Sequence, residues 1–157
     1  MPLHSSSGGP VPVPGRIATR SGLPPAVRRL TGDLAGAARD LEEGLSIYRD
    51  IGNRSAEAEA LNETGTLYRA SGDLVQAEAY HQQALDLGRE IGIAWDEAHA
   101  LAGLARCALA AGRPAEAAGT LRQALEIFQR IGAAEAADVA AELAVLPGTP
   151  GPASTRS

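Results

Sequence analysis

The chain has 157 residues, a net charge of −5 and a hydrophobic fraction of 45%, with no apolar run long enough to span a membrane, so we expect one soluble domain. All 14 basic residues are arginine. Nine of them and all 19 acidic residues lie between residues 31 and 146, which gives this region a net charge of −10 that repels a phosphate backbone. Direct nucleic-acid binding and membrane insertion are therefore disfavoured.

The two ends of the chain differ in composition from its middle. Residues 1–24 are rich in Pro, Gly and Ser, and the alternate prolines of PVPVPG favour extended polyproline II over helix, so we expect this segment to be disordered. Residues 147–157 give the same expectation. The N-terminus has no apolar run typical of a signal peptide, and one cysteine cannot form an internal disulfide, so we expect a cytoplasmic protein.

Four series of residues recur at a spacing of forty in the middle of the chain. They are Gly32, Gly72 and Gly112; Ala37, Ala77 and Ala117; Leu45, Leu85 and Leu125; and the pairs Ile51-Gly52, Ile91-Gly92 and Ile131-Gly132. Such a period indicates a repeat architecture in which neighbouring units bury each other's apolar faces. It predicts one helical repeat domain over residues 25–146.

This domain divides into a half repeat at 25–52, full repeats at 53–92 and 93–132, and a capping helix at 133–146. The first unit is incomplete because Pro24 and Pro25 stand where the later units have the middle of a helix. Apolar residues at steps of three and four then predict an amphipathic helix in each remaining slot. Asp33 and Asp73 are predicted N-caps, and Pro114 is predicted at the first helical turn.

The central unit resembles the tetratricopeptide repeat family through Leu61, Gly65 and Tyr68 in its first helix and Ala77 and Ala84 in its second. The forty-residue period resembles in particular the C-terminal arrays of bacterial transcriptional regulators of the SARP and NB-ARC type. The resemblance implies an all-α fold, a short right-handed α-solenoid of antiparallel helix hairpins. The sequence differs from the family pattern at His81, where a large apolar residue is usual. Its period also differs, at forty residues instead of thirty-four.

The resemblance also implies a concave groove, lined by the first helix of each pair, that binds a protein or peptide. Carrying the family's groove positions onto this sequence gives Glu59, Asn62, Glu63, Thr66 and Arg69 from one helix, then His99, Ala102, Gly103 and Arg106 from the next. The family's carboxylate clamp, which grips an acidic C-terminal tail, is not reproduced, since only Asn62 and Arg106 echo it.

Trp95, His99, Ala102 and Arg106 are spaced to form one ridge on a helix. One interpretation is that Trp95 and Arg106 anchor a partner, because tryptophan and arginine dominate binding hot spots. The other is structural: Trp95 covers the helix start and Arg106 pairs with Glu59 or Glu63.

No residue pattern predicts catalysis, a metal site or a cofactor. The three histidines are dispersed, with His81 on a buried stripe, and Cys107 falls on a packing face. The neighbours Asp96 and Glu97 point in different directions on a helix, so we expect them to be solvated.

Two functions compete. The first is a non-catalytic module that binds a protein or peptide, as a scaffold or a signal-sensing part of a bacterial regulatory system. The second is a truncated C-terminal remnant of a larger SARP- or NB-ARC-type regulator with no activity of its own. The incomplete first unit also predicts self-association through the apolar face of the helix at 33–51.

Overall fold

The computed structural model describes residues 33–147, and within this range it contains six α-helices and no strand. The helices are α1 (Leu34–Ile51), α2 (Arg54–Ala70), α3 (Leu74–Ile91), α4 (Ala94–Ala110), α5 (Pro114–Ile131) and α6 (Glu135–Ala144). The predictions made for residues 1–24, for the start of the half repeat at 25–32 and for most of the C-terminal tail lie outside the described residues.

Side-chain caps and left-handed glycines fix where the helices begin and end. Asp33 and Asp73 accept hydrogen bonds from the backbone amides of Gly36 and Gln76, at 2.9 and 3.1 Å, which confirms both predicted N-caps. Five glycines spaced twenty residues apart have φ between +69° and +88°: Gly52, Gly72, Gly92, Gly112 and Gly132. A glycine adopts this conformation without steric cost, so the chain can reverse direction after every helix.

The helices form two layers. The short turns make consecutive helices antiparallel, and α4 contacts α2 as well as its chain neighbours α3 and α5. The first helix of each pair (α2, α4 and the capping α6) therefore lies in one layer, and the second helix (α1, α3, α5) lies in the other. This arrangement confirms the predicted all-α repeat fold.

Small side chains dominate the contacts between the layers. Ala58, Ala60, Ala98 and Ala100 have no solvent exposure at all, and alanines on every helix from α1 to α5 are equally buried. Larger side chains fill the spaces that remain: Leu61, Leu85, Leu101, Tyr48 and Phe128 are each at most 5% exposed. Leu125 of α5 was predicted to be buried but is only half buried, because it lies at the edge of the apolar face of that helix.

His81 is a polar residue within this core. It lies on α3, is 2% exposed, and its ring passes between Gly65 of α2 and Gly103 of α4. A Cβ atom at Gly65 would lie 2.7 Å from the ring, and one at Gly103 would lie 2.3 Å from it. Both distances are far below van der Waals contact, so both helices need glycine where they face the imidazole.

One sequence prediction about this core is wrong. Asp96 was expected in solvent, but it is 1% exposed and accepts a hydrogen bond of 3.4 Å from Ser55 Oγ, across the α2–α4 contact. Helical spacing predicts the direction in which an acidic side chain points, but it does not show which neighbouring helix lies there. Here α2 packs against the N-terminal end of α4 and covers Asp96. Burial raises the pKa of Asp96, and the hydrogen bond from Ser55 opposes this effect.

Two glycines should respond to alanine in opposite directions. We expect Gly92→Ala to lower the free energy of unfolding by about 1 kcal/mol, because φ of +71° is unfavourable for any residue with a Cβ atom. We expect Gly119→Ala to raise it by about 0.5–1 kcal/mol, because Gly119 is inside α5 and its Cβ would meet no atom within 4 Å. Urea unfolding followed by circular dichroism at 222 nm measures both, and equal signs would contradict the assigned conformations.

His81 should make the protein less stable at mildly acidic pH. Burial, helped by the charges of Arg69 and Arg106, lowers the pKa of His81 from 6.5 to about 4. The unfolded chain therefore binds a proton at pH values where the folded chain does not, so stability is fully present above pH 6.5 and is lost as pH falls towards 4. Relative to His81→Leu, the wild-type chain should lose about 2 kcal/mol between pH 7.5 and 5. Parallel pH dependences of the two proteins would contradict the buried neutral histidine.

Candidate functional site

The exposed side of the first-helix layer carries nearly all the predicted contact residues. We call it the α2–α4–α6 face and define it by the half-buried or exposed side chains that these three helices present there. They are Glu59, Asn62, Glu63, Thr66 and Arg69 of α2, Trp95, His99 and Arg106 of α4, and Glu135 and Glu142 of α6. The face is mixed in charge, with more acidic than basic residues, and has one large aromatic side chain.

An aromatic cluster lies where the N-terminal ends of α4 and α6 meet. The rings of Trp95 and His99 are tilted against each other with centroids 3.9 Å apart, and His99 packs edge-on against the buried Phe128 at 5.1 Å. His99 Nε2 lies 3.4 Å from a carboxylate oxygen of Glu135. Trp95 remains 39% exposed, so its ring is held in place from below while one side is available for contact.

Arg106 connects α4 to α6 through a paired interaction. Its Nε and Nη2 donate to the two carboxylate oxygens of Glu142, at 3.0 and 2.6 Å, in the two-pronged geometry that arginine and carboxylate favour. The hydrogen bond to Glu142 is the main reason that the pKa of Arg106 is raised. Arg106 therefore forms an ion pair, as the structural interpretation predicted. Its partner is Glu142 of the capping helix, and the predicted partners Glu59 and Glu63 were wrong.

Three carboxylates lie close enough to affect one another, Glu59 and Glu63 of α2 and Asp96 of α4. Burial, followed by the charges of Asp96 and Glu63, raises the pKa of Glu59. The negative potential here would repel an acidic ligand and favour a neutral or basic one.

Asn62 connects the centre of the α2–α4–α6 face to the core. Its side-chain oxygen Oδ1 lies 2.9 Å from Nδ1 of His81, and its backbone carbonyl accepts a hydrogen bond of 3.0 Å from Thr66 Oγ1. The opposite ring nitrogen, His81 Nε2, is buried and has no hydrogen-bond partner among residues 33–147. A half-buried amide is thus fixed by a fully buried imidazole beneath it.

The structure brings most of the predicted residues together and removes two. Ala102 is 1% exposed and Gly103 is packed against His81, so both lie in the core and we drop them from the candidate contacts. Glu135 and Glu142 were not predicted, although they lie forty residues after Trp95 and Ala102 and the repeat spacing could have identified them. His81 was predicted on a buried stripe, but its contact with Asn62 was not predicted.

The second-helix side has a groove of its own, with a volume of about 400 Å³. Its floor includes Leu85, Leu101 and Leu104, and its rim is formed by polar side chains of α3 and α5. Arg113 bridges Glu78 and Glu116 at this surface. These ion pairs hold the adjacent second helices together.

No helix in the described range is both long enough and apolar enough to cross a membrane. Among residues 33–147, histidine, cysteine and acidic side chains do not form any group of three or more that could hold a metal ion. Cys107 is buried, and burial raises the pKa of its thiol, so it is a poor nucleophile in this environment.

Solved structures with similar folds support this architecture. BtubC (BKLC) from P. vanneervenii matches with a TM-score of 0.69 and 23% identity, over 77% of this chain and 50% of that one. The apo form of RapI matches with a TM-score of 0.70 and 16% identity, over 76% of this chain and 44% of that one. The chain thus spans about half the length of these two proteins, and at such identities the similarity shows the fold alone. No curated protein matches the sequence.

A family model described as a tetratricopeptide repeat matches residues 26–90 and, in an overlapping second alignment, residues 57–130. These matches cover more than half of the chain, and they span five of the six helices. With its antiparallel helix pairs, its period of forty and its alanine-rich contacts, the chain belongs to the tetratricopeptide repeat family.

Proposed function

We propose that this chain is a non-catalytic repeat module that binds a protein or peptide on the α2–α4–α6 face, as a scaffold or signal-sensing part of a bacterial regulatory system. Tetratricopeptide repeats generally mediate protein–protein interactions, so membership of the family supports the binding function. The observation that carries the proposal is the exposed, supported ring of Trp95, which lies at the N-terminal end of α4 on a face of half-buried polar side chains.

The side chains most available to a partner are those with the fewest hydrogen bonds to other residues of the chain. Trp95 presents the exposed part of its ring, and Asn62 and Glu59 are half exposed, whereas Arg106 is held in two hydrogen bonds to Glu142. A partner could use Arg106 only by displacing Glu142 and losing both bonds. We therefore place the binding hot spot at Trp95 and keep Arg106 as a residue that fixes α6.

The regulatory role rests on the resemblance of the forty-residue period to the arrays of SARP- and NB-ARC-type regulators. The second candidate, a C-terminal remnant of such a regulator, rests on the same resemblance. Gene neighbourhood separates them: an adjacent upstream frame encoding a winged-helix or NB-ARC domain favours the remnant, and capture of a defined partner by the chain alone favours the module.

Self-association remains part of the proposal. Ala37 and Leu41 of α1 are 0% and 1% exposed and form a small buried cluster with Leu67 of α2. The contact between copies would therefore be made by Leu34 and Ala38, which are only partly buried beside this cluster. Sedimentation velocity over a range of concentrations tests it, and a monomer at every concentration would contradict it.

Truncating Trp95 should abolish most of the binding. Peptides selected from a random linear library against the full chain should bind Trp95→Ala at least tenfold more weakly, because the ring supplies the largest exposed apolar surface on the face. Isothermal titration calorimetry with the selected peptides measures the change.

Val75→Ala is the matched control. Val75 is 81% exposed on α3, in the other layer, so this variant also removes an exposed apolar side chain but should leave affinity unchanged. Selected peptides that bind Trp95→Ala as tightly as the wild-type chain would contradict the proposed site.

A further inference from the structure

We propose that His81 is a positioning residue that fixes the Asn62 side chain with its NH₂ group facing the α2–α4–α6 face, where it donates to a main-chain carbonyl of a bound peptide. This inference rests on the proposed function and specifies its ligand chemistry. His81 is a buried polar residue at a position where the repeat does not require one.

The neighbouring repeats show which side chain can fill the position of His81 in the core. The residues forty before and forty after His81 are Leu41 and Leu121, which are 1% and 2% exposed. Leucine therefore satisfies the same packing position in both neighbouring units. A buried imidazole with an unpartnered nitrogen costs stability that leucine would not cost, so its presence requires a different reason.

The neighbouring helices are shaped around the ring. The positions equivalent to Gly103 in the adjacent units hold Glu63 and Leu143, both with side chains, whereas Gly103 would clash with the ring if it had even a Cβ atom. Gly65 faces the other side of the ring under the same constraint. The imidazole is therefore held between two backbones and has no freedom to turn away from Asn62.

The hydrogen bond sets the direction of the amide. Asn62 directs Oδ1, which can only accept, towards Nδ1 at 2.9 Å, so Nδ1 must carry the proton and donate. Nδ2 of Asn62 then points away from the ring, and its two N–H groups have no partner among the described residues. The tautomer of His81 with its proton on Nδ1 selects this one of the two amide orientations, which leaves two donors on the surface.

The charges around Asn62 are of both signs. Glu59 and Glu63 are half exposed on the same helix, and Arg69 and Arg106 act on the His81 ring beneath it. The Asn62 Nδ2 group can only donate, and a neutral peptide carbonyl accepts its hydrogen bond without depending on the balance of these charges. Main-chain carbonyls occur in every peptide, so Asn62 would contribute affinity and alignment, and Trp95 would contribute side-chain preference.

The tautomer of His81 can be measured without any ligand. In ¹⁵N-labelled full-length chain, long-range proton–nitrogen correlation spectra should show His81 protonated at Nδ1 and unprotonated at Nε2 throughout pH 8 to 5.5. The His81→Leu spectrum assigns the signals. A ring protonated at Nε2, or one that becomes doubly protonated in this range, would overturn the proposed orientation of Asn62.

Binding measurements test the consequence, using the peptides selected on the wild-type chain that lose affinity on Trp95→Ala. We expect Asn62→Ala and His81→Leu each to weaken binding at least fivefold, and the double variant to be no weaker than Asn62→Ala alone, because both changes remove one interaction. His81→Gln should recover part of the affinity, since its amide N–H₂ can donate to Asn62 Oδ1. Circular dichroism at 222 nm confirms that each variant is folded.

The outcomes separate this inference from the proposed function. Peptides that depend on Trp95 but bind Asn62→Ala and His81→Leu as tightly as the wild type would overturn the role of His81 and leave the binding face intact. Additive losses in the double variant would also overturn it, because independent effects mean that His81 does not act through Asn62. If no peptide depends on Trp95, the proposed function fails, while the NMR experiment still decides the orientation of Asn62.

Discussion

Close contact between helices through alanine is the constraint on which the rest of this structure depends. A single helix pair has too little apolar side chain to bury, so each pair is stable only when its neighbour covers it. Alanines with no solvent exposure, such as Ala60, Ala84, Ala100 and Ala124, allow the backbones to approach closely and leave few voids. The same closeness places α2 beside α4, so one ring on α3 can touch both helices.

Ion pairs between helices also follow the forty-residue period, and they occur in two places. The pairs Arg49–Glu57 and Arg89–Glu97 occur forty residues apart with donor–acceptor distances of 3.0 and 3.2 Å, and each joins a second helix to the first helix of the next unit. Exposed pairs of this kind contribute only about 0.5 kcal/mol each, so they favour one register more than they add stability. On the α2–α4–α6 face, the ion pair Arg106–Glu142 and the contact between His99 and Glu135 connect α4 to the capping helix, and the hydrogen bond from Ser55 to Asp96 connects α2 to α4. Arg106 is therefore held in place by α6, whereas the exposed ring of Trp95 and the half-exposed Asn62 and Glu59 are available to a partner.

The polar residues inside the core are concentrated between α2, α3 and α4. His81 and Asp96 are almost completely buried there, and each has one hydrogen-bond partner on α2, Asn62 and Ser55. The equivalents of His81 in the neighbouring units, Leu41 and Leu121, fill the same position without burying a polar group. Departures from the repeat pattern that cost stability tend to occur where a protein makes specific contacts. Both of these lie beneath the same face, and this coincidence links the packing of the domain to its proposed binding surface.

The sequence by itself determined the period, the number and order of the helices from Asp33 onward, the N-caps Asp33 and Asp73 and most of the core, because repeat spacing, helical periodicity and glycine turns are local properties of the chain. It also placed Trp95, Asn62 and Glu59 on one side, since helical spacing defines a face. Only the tertiary structure decided which residues of that face are covered: Ala102 and Asp96 are buried by the neighbouring helix, and Arg106 is paired with an acid thirty-six residues away. The link between Asn62 and His81 also needed three dimensions, because it depends on how closely two glycine-bearing backbones approach one ring, a distance set by packing and by no pattern within a single helix.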